Sequence, residues 1–422
     1  MYTHHLTKLP SGLQLITVPM PQLDSLTVLA GVSAGSRQET RLANGLFHFL
    51  EHLAFKGTHK RPSTLAIAGE ADSVGAAFNA FTSKEFTGYW MKVASRHKAL
   101  AFDILSDILT DSLLASKEIE REKGVIIEEL NMYEDLPMRK VQENFERLMY
   151  GDNSMGWSTG GGKDQIRQMK RPAFVSALKR FYFSRNMVVA AVGKITPQEA
   201  TTLAGQYFSS LQRAGQKVTK EIKISQAASR LQLQTKKTEQ AHFCLGVPGL
   251  AYNDKDRFAL SVLAAVLGGG MSSRLFIEIR ERRGLAYYVG CDDDNFTDSG
   301  YLLARAGVRL EKIDEAIKVV IDELVKLTKI PVGDQELKKT QEMIKGRLVL
   351  SLEDSQQVAT DYAVELLLEK KIRTPQEIMK LIDQVTVADL QRVAKRLLKP
   401  EKLNLAIIGP FQSESRFHKL LQ

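Results

Sequence analysis

The run His48-Phe49-Leu50-Glu51-His52 places two imidazoles four residues apart with a carboxylate between them. On an α-helix, residues four apart lie one turn apart on the same face, so both rings can converge on one cation. Glu51 follows His48 by three and points into the same space, where it can serve a reacting water without being a ligand. This is the order of the inverted zincin motif H-x-x-E-H. With eight histidines in the chain, the pattern arises by chance in about one such sequence in a hundred. Leu46, Phe47, Phe49, Leu50, Leu53 and Phe55 surround it, so Gly45 to Phe55 reads as a buried helix. Two imidazoles and a carboxylate are costly to bury there without a compensating charge, and one zinc ion per chain is expected to supply it.

Catalytic zinc takes three protein ligands and leaves a fourth position open. The third is expected from Ser116 to Tyr133, a helical pattern carrying Glu118, Glu120, Glu122, Glu128 and Glu129. Charge runs on helices are mostly solvated faces. Glu128-Glu129, however, interrupts the apolar stretch Val125 to Leu130, where a carboxylate is expensive. Glu122 and Glu129 are seven apart and share a face; spacing does not choose between Glu128 and Glu129.

Around these helices, Leu13 to Pro19, Leu26 to Val32 and Phe86 to Val93 read as strands and Ala99 to Ser112 as another helix. Pro137 is placed to end the helix that begins at Ser116. Strands and helices mix without strict alternation, which predicts an α+β fold, a mixed or antiparallel sheet packed with helices. The chain also matches itself. Phe174 to Gly193 and Leu390 to Gly409 align without a gap as a helix, a polar turn and an apolar strand ending in glycine. A fainter match pairs Gly31-Val32 with Gly246-Val247. Two tandem homologous units are therefore expected: an N-terminal unit 1–213, an exposed linker 214–228, and a C-terminal unit 229–422.

Composition narrows the function classes. A chain of 422 residues, 44% of them hydrophobic, suffices for two domains with their own cores. Its apolar runs are far below the roughly 20 residues of a membrane-spanning helix. The segment Met1 to Pro10 has no secretory-signal pattern, so the expected compartment is the cytoplasm. Cys244 and Cys291 are the two cysteines, too few for a disulfide framework or an all-cysteine metal site. The net charge of +9 is spread among acids, as in Lys117 to Lys123, and no groove-reading or base-stacking motif accompanies it; no nucleic-acid partner is expected. Gly268-Gly269-Gly270 is not followed by Lys-Ser or Lys-Thr, so a phosphate loop is not expected.

The segments GLFHFLEHLAFKGT (Gly45 to Thr58), NAFTSKEFTGYW (Asn79 to Trp90) and EKGVIIEE (Glu122 to Glu129) resemble the pitrilysin and insulinase metallopeptidases, and among them the short-chain branch that includes the mitochondrial processing peptidase. The resemblance covers nearly the whole chain. It implies a duplicated α/β unit, Glu129 as the third zinc ligand, and Glu122 as an auxiliary acid near the site. It makes the second half the family's inactive half: matching Gly31 to Gly246 puts Phe258 to Leu267, which has no His or Glu, where the metal helix would be. In that half Arg280 and Tyr287, within SRLFIEIRERRGLAYYV, are implied to contact the substrate near the scissile carbonyl. Asn79, Ala80, Phe81 and Thr82 are implied to bind the peptide as an added strand.

These readings converge on a zinc endopeptidase of peptides or unfolded segments, with Glu51 as general base. Long relatives in the resembling family hold four copies of the unit, and this chain holds two, so a homodimer is expected. The alternative is a noncatalytic binding or partner subunit of a peptidase complex. The long glycine-rich insertion of the noncatalytic processing-peptidase subunit is not found, which argues against a dedicated presequence-processing role.

Overall fold

The computed structural model of the chain describes residues 3–216 and 219–422. Two residues of the expected linker, Lys217 and Val218, lie outside them. In the first unit, β1 (His5–Lys8), β2 (Gln14–Pro19), β3 (Ser25–Val32), β4 (Ala77–Thr82), β5 (Thr87–Ala94) and β6 (Met187–Gly193) form a mixed sheet ordered β1-β2-β6-β3-β5-β4. β2 and β6 run parallel, and β3 is antiparallel to both β6 and β5. The central strands β3 and β6 are buried along nearly their whole length, which explains their continuous apolar runs. β4 closes one edge of the sheet, paired with β5 through Asn79 opposite Trp90 and Phe81 opposite Gly88.

Helices α1 (Leu46–Ala54), α2 (Lys98–Thr110) and α3 (Ser116–Glu134) cover one face. There Phe47, Phe49, Leu53, Phe102, Ile108 and Ile126 share a core with Leu15, Val28 and Ala30. Phe47 meets Phe181 and Phe49 meets Phe174 edge-on, at ring distances of 5.2 and 4.8 Å. Each such buried phenylalanine contributes roughly 1.5–3 kcal/mol, so α1 is fastened by the residues between its polar ones. The opposite face, with Ile16, Leu29 and Ala190, is covered by Val358, Ala359 and Tyr362 of the helix Ser355–Val364.

The second unit repeats this plan. β7 (Arg230–Thr235), β8 (Gln240–Pro248), β9 (Ala286–Asn295), β10 (Gly300–Arg309) and β11 (Asn404–Gly409) are ordered β7-β11-β8-β10-β9. β8 lies antiparallel between β11 and β10, as β3 lies between β6 and β5. Helix Arg171–Phe181 precedes β6 and helix Val387–Leu397 precedes β11, so the self-match marks a real structural repeat and the α+β expectation holds. After β8 comes a buried helix, Arg257–Gly268, without His or Glu.

The compact units differ from the contiguous halves 1–213 and 229–422. The first comprises residues 1–130, 158–220 and 349–375; the second comprises 131–157, 221–348 and 376–422. In the second, Val141, Phe145 and Met149 of α4 (Pro137–Tyr150) pack on Cys244, Leu303 and Ile408. Each unit thus covers one face of its sheet with a helix from the other half of the sequence. Pro137 proves to be the first residue of α4 rather than a mere stop signal, as suits a residue whose missing N–H would be unpaired there anyway. The unit boundary at Lys220/Glu221 falls inside 214–228, but Gln226 of that segment is buried and donates to Leu403 O.

Candidate metal centre

Helix α1 starts at Gly45, whose φ of +92° is left-handed and which offers no side-chain cap. The cap comes from Glu39, six residues earlier and buried. Its Oε2 accepts the Gly45 N–H at 2.8 Å and the Asn44 amide at 2.9 Å, and its Oε1 accepts the Phe47 N–H at 2.9 Å. A carboxylate there complements the positive end of the helix dipole. Asn44 also donates to Ser158 O at 2.9 Å, which draws the Ser158–Gly162 segment against the start of α1. A Cβ on Gly161, at φ +84°, would come within 2.4 Å of Asn44 O, so this close approach requires glycine.

Held this way, α1 directs His48, Glu51 and His52 to one side, and α3 brings Glu129 to meet them. One donor atom from each of His48, His52 and Glu129 lies within 4.8 Å of the others. His48 Nε2 is 3.5 Å and His52 Nε2 is 3.2 Å from Glu129 Oε2. Around a tetrahedral cation with bonds of about 2.0–2.1 Å, neighbouring donors stand roughly 3.3–3.4 Å apart; the two separations from Glu129 lie near that spacing, and the donors of the two histidines lie within 4.8 Å of each other. Glu128 is exposed on α3, and of the two adjacent acids it is Glu129 that joins this cluster.

The electrostatics fit the same group. Glu122, buried on α3, joins His52 Nδ1 at 2.9 Å and Lys56 Nζ at 2.7 Å. Burial alone would raise its carboxyl, but the bonds to His52 and Lys56 outweigh that and hold it below the usual carboxylate value. Burial would likewise lower His52, yet Glu122 and Glu129 lift it to about 9. With Nδ1–H donated to Glu122, the Nε2 lone pair of a neutral His52 faces a carboxylate oxygen, which is repulsive unless positive charge lies between. A proton relieves one such pair; a divalent cation relieves both histidines at once. His48 Nδ1 is buried without a hydrogen-bond partner among the described residues, with Gly160 beside it, and Nε2 is the nitrogen turned toward Glu129. The cluster is therefore able to coordinate a metal ion.

Glu51 lies on α1 between the two histidines in sequence, and its Oε2 accepts a 2.6 Å hydrogen bond from Thr82 Oγ1. Along β4, Phe78 and Thr82 face α1, Phe78 against Phe55 and Thr82 against Glu51. Asn79 is exposed at the sheet edge, Ala80 is buried, and Phe81 packs toward Phe86. Arg280 and Tyr287 belong to the second unit. Arg280 lies in a π-helical turn, Phe276–Glu281, with its guanidinium over the Phe276 and Tyr287 rings and Nη1 donating to Tyr287 O at 2.9 Å. The Tyr287 side is open to solvent, the residue being 76% exposed.

Three contributors escaped the sequence reading. Lys56 carried a usable signal, since it follows His52 by four on the same helical face. Glu39 and the Ser158–Gly162 segment carried none that spacing reveals.

Comparison with known proteins agrees with this architecture. Residues 17–162 match the model of insulinase (peptidase family M16), and residues 169–344 match that of the peptidase M16 inactive domain. An uncharacterized zinc protease of Streptomyces coelicolor is 35% identical over 426 residues, covering 98% of this chain and 91% of that protein. A protease from Helicobacter pylori superposes with a TM-score of 0.90 at 24% identity, over 97% of this chain and 100% of the other. A peptidase M16 inactive domain from Pseudomonas fluorescens does so with a TM-score of 0.88 at 19% identity, over 97% and 99%. No helix among the described residues is long and apolar enough to cross a membrane. These matches, over two repeated units, show that the chain belongs to the insulinase family, peptidase family M16, with a zinc-protease-like fold.

Proposed function

We propose that the chain is a cytoplasmic zinc endopeptidase that cuts peptides and unfolded segments. The observation that carries this reading is the convergence of His48, His52 and Glu129 with Glu51 beside them and the open edge of β4 next to Glu51. An extended peptide adds to β4 along Asn79 to Thr82 through main-chain hydrogen bonds, which read shape more than sequence. His48, His52 and Glu129 would hold a zinc ion, which when bound would supply Lewis acidity at the carbonyl and lower the pKa of water toward roughly 7. Glu51 takes the proton from the attacking water and passes it to the leaving amine. Glu122 holds His52 in the tautomer whose Nε2 lone pair is free, as the outer partners of metal-bound histidines do. Arg280 and Tyr287, contributed by the second copy of a homodimer, hydrogen-bond the developing oxyanion. This assignment extends the likeness to the processing-peptidase branch.

A second reading has its own support. Residues 169–344 match an inactive-domain model, and a chain of that kind can serve as a noncatalytic binding or partner subunit. Elemental analysis and cleavage of a quenched peptide separate the two. The peptidase binds one zinc per chain, loses it in His48→Ala and His52→Ala, and cuts the peptide. A chain without zinc and without cleavage is the partner subunit.

A further inference from the structure

Thr82 is the last residue of β4, opposite Thr87 of β5. Its hydroxyl lies 2.6 Å from Glu51 Oε2 and 3.5 Å from Phe47 O. A hydroxyl has one proton to give, and the 2.6 Å contact to Glu51 takes it in preference to the marginal one at 3.5 Å. Glu51 is a long side chain with substantial rotamer freedom, and ordering such a chain costs roughly 1.5–2 kcal/mol. Thr82, by contrast, is β-branched and stiff at χ1. The neighbouring strand is anchored opposite it, since Thr87 Oγ1 of β5, paired with Thr82, donates to Ala34 O at 2.8 Å. The bond therefore joins a flexible carboxylate to a rigid point of the sheet. We propose that Thr82 is a positioning residue for Glu51, orienting the carboxylate through its hydroxyl, and that it does not act by contacting the peptide.

The inference rests on the peptidase reading and sharpens it, because it moves Thr82 from the substrate-contact group to the base. Thr82→Val removes the hydroxyl at nearly constant shape, and Thr82→Ser keeps it. Both are compared with wild type for zinc content, thermal unfolding, and kcat and KM on a quenched peptide. A base is worth about 100- to 10,000-fold, and misplacement by an ångström costs about 100-fold. The expected result for Thr82→Val is one zinc per chain, unchanged KM and kcat lower by about 10- to 100-fold, with Thr82→Ser restored to near wild type. A crystal structure of Thr82→Val is expected to show Glu51 spread over more than one rotamer. A raised KM at wild-type kcat, wild-type kinetics, or equal losses in the Val and Ser variants would each overturn the positioning role while leaving the peptidase reading intact. A wild-type chain that loads zinc and cuts nothing overturns the peptidase reading, and this inference with it.

Discussion

Glu39 caps the helix that carries His48, Glu51 and His52, and it does so from a buried position. Burial pushes its pKa from an ordinary 4.5 up to about 7, against the opposing pull of the Phe47 N–H, the Asn44 amide, the Gly45 N–H and the Lys84 charge. The unfolded chain releases this proton near the ordinary value. Between the two pKa values the folded state therefore binds a proton that the unfolded state has lost, and stability falls as pH rises through that window. The contribution is complete below the unfolded pKa and gone above the folded one. The gap between 4.5 and about 7, at about 1.4 kcal/mol per unit, corresponds to about 3 kcal/mol. Glu39→Gln cannot ionise, so its unfolding free energy lacks this slope, while every other group titrates alike in both chains. The variant also turns an N–H toward another N–H, a constant penalty that does not obscure the slope. Urea unfolding followed by Trp90 on β5, in a Trp157→Phe background, reports the first unit alone. The wild-type advantage over Glu39→Gln is expected to shrink by about 2–3 kcal/mol between pH 5 and 8. Parallel stability curves across that range would refute the buried-proton account of Glu39.

Three further outcomes follow from the same contacts. Glu129→Gln is expected to weaken zinc binding by at least the 10- to 100-fold that loss of an outer partner costs, whereas Glu128→Gln leaves it nearly intact; competition with a chelating dye checks both. Gly161→Ala forces a Cβ onto Asn44 O in a left-handed backbone, so its melting temperature is expected to fall by an amount corresponding to about 1–3 kcal/mol. Mixing inactive Glu51→Gln with inactive Arg280→Ala after subunit exchange is expected to restore cleavage, because a site shared between copies leaves one centre intact; a mixture that stays inactive places Arg280 in its own chain's site.

Legibility in the sequence followed the range of the interactions. The helix of His48, Glu51 and His52 is readable because the three lie within one turn and a half, on a run of otherwise apolar residues. The duplication was readable because helix Arg171–Phe181 with β6 and helix Val387–Leu397 with β11 repeat as local patterns. Glu129 was distinguishable from Glu128 by resemblance alone, since adjacent residues on a helix differ by about 100° and only the partner helix decides which faces inward. The Thr82–Glu51 bond joins a strand to a helix 31 residues away, and nothing in either local pattern records it. The exchanged segments were equally silent: α4 and the helix Ser355–Val364 have apolar faces that read the same whichever sheet they cover. Glu39 is not legible because a buried cap six residues before the N-cap Gly45 lies outside the usual capping positions.

The proposed chemistry turns on one distinction, that Glu51 acts on the reacting water and does not hold the metal. Steady-state cleavage of a quenched peptide by zinc-loaded wild type and zinc-loaded Glu51→Gln, with zinc content determined on the same samples, tests it directly. One zinc per chain in both, with turnover lower by about 100- to 10,000-fold in the variant, is the predicted result. Equal turnover would remove Glu51 from the chemistry, and a zinc-loaded wild type that cuts no peptide would contradict the peptidase assignment and place the chain among noncatalytic partner subunits.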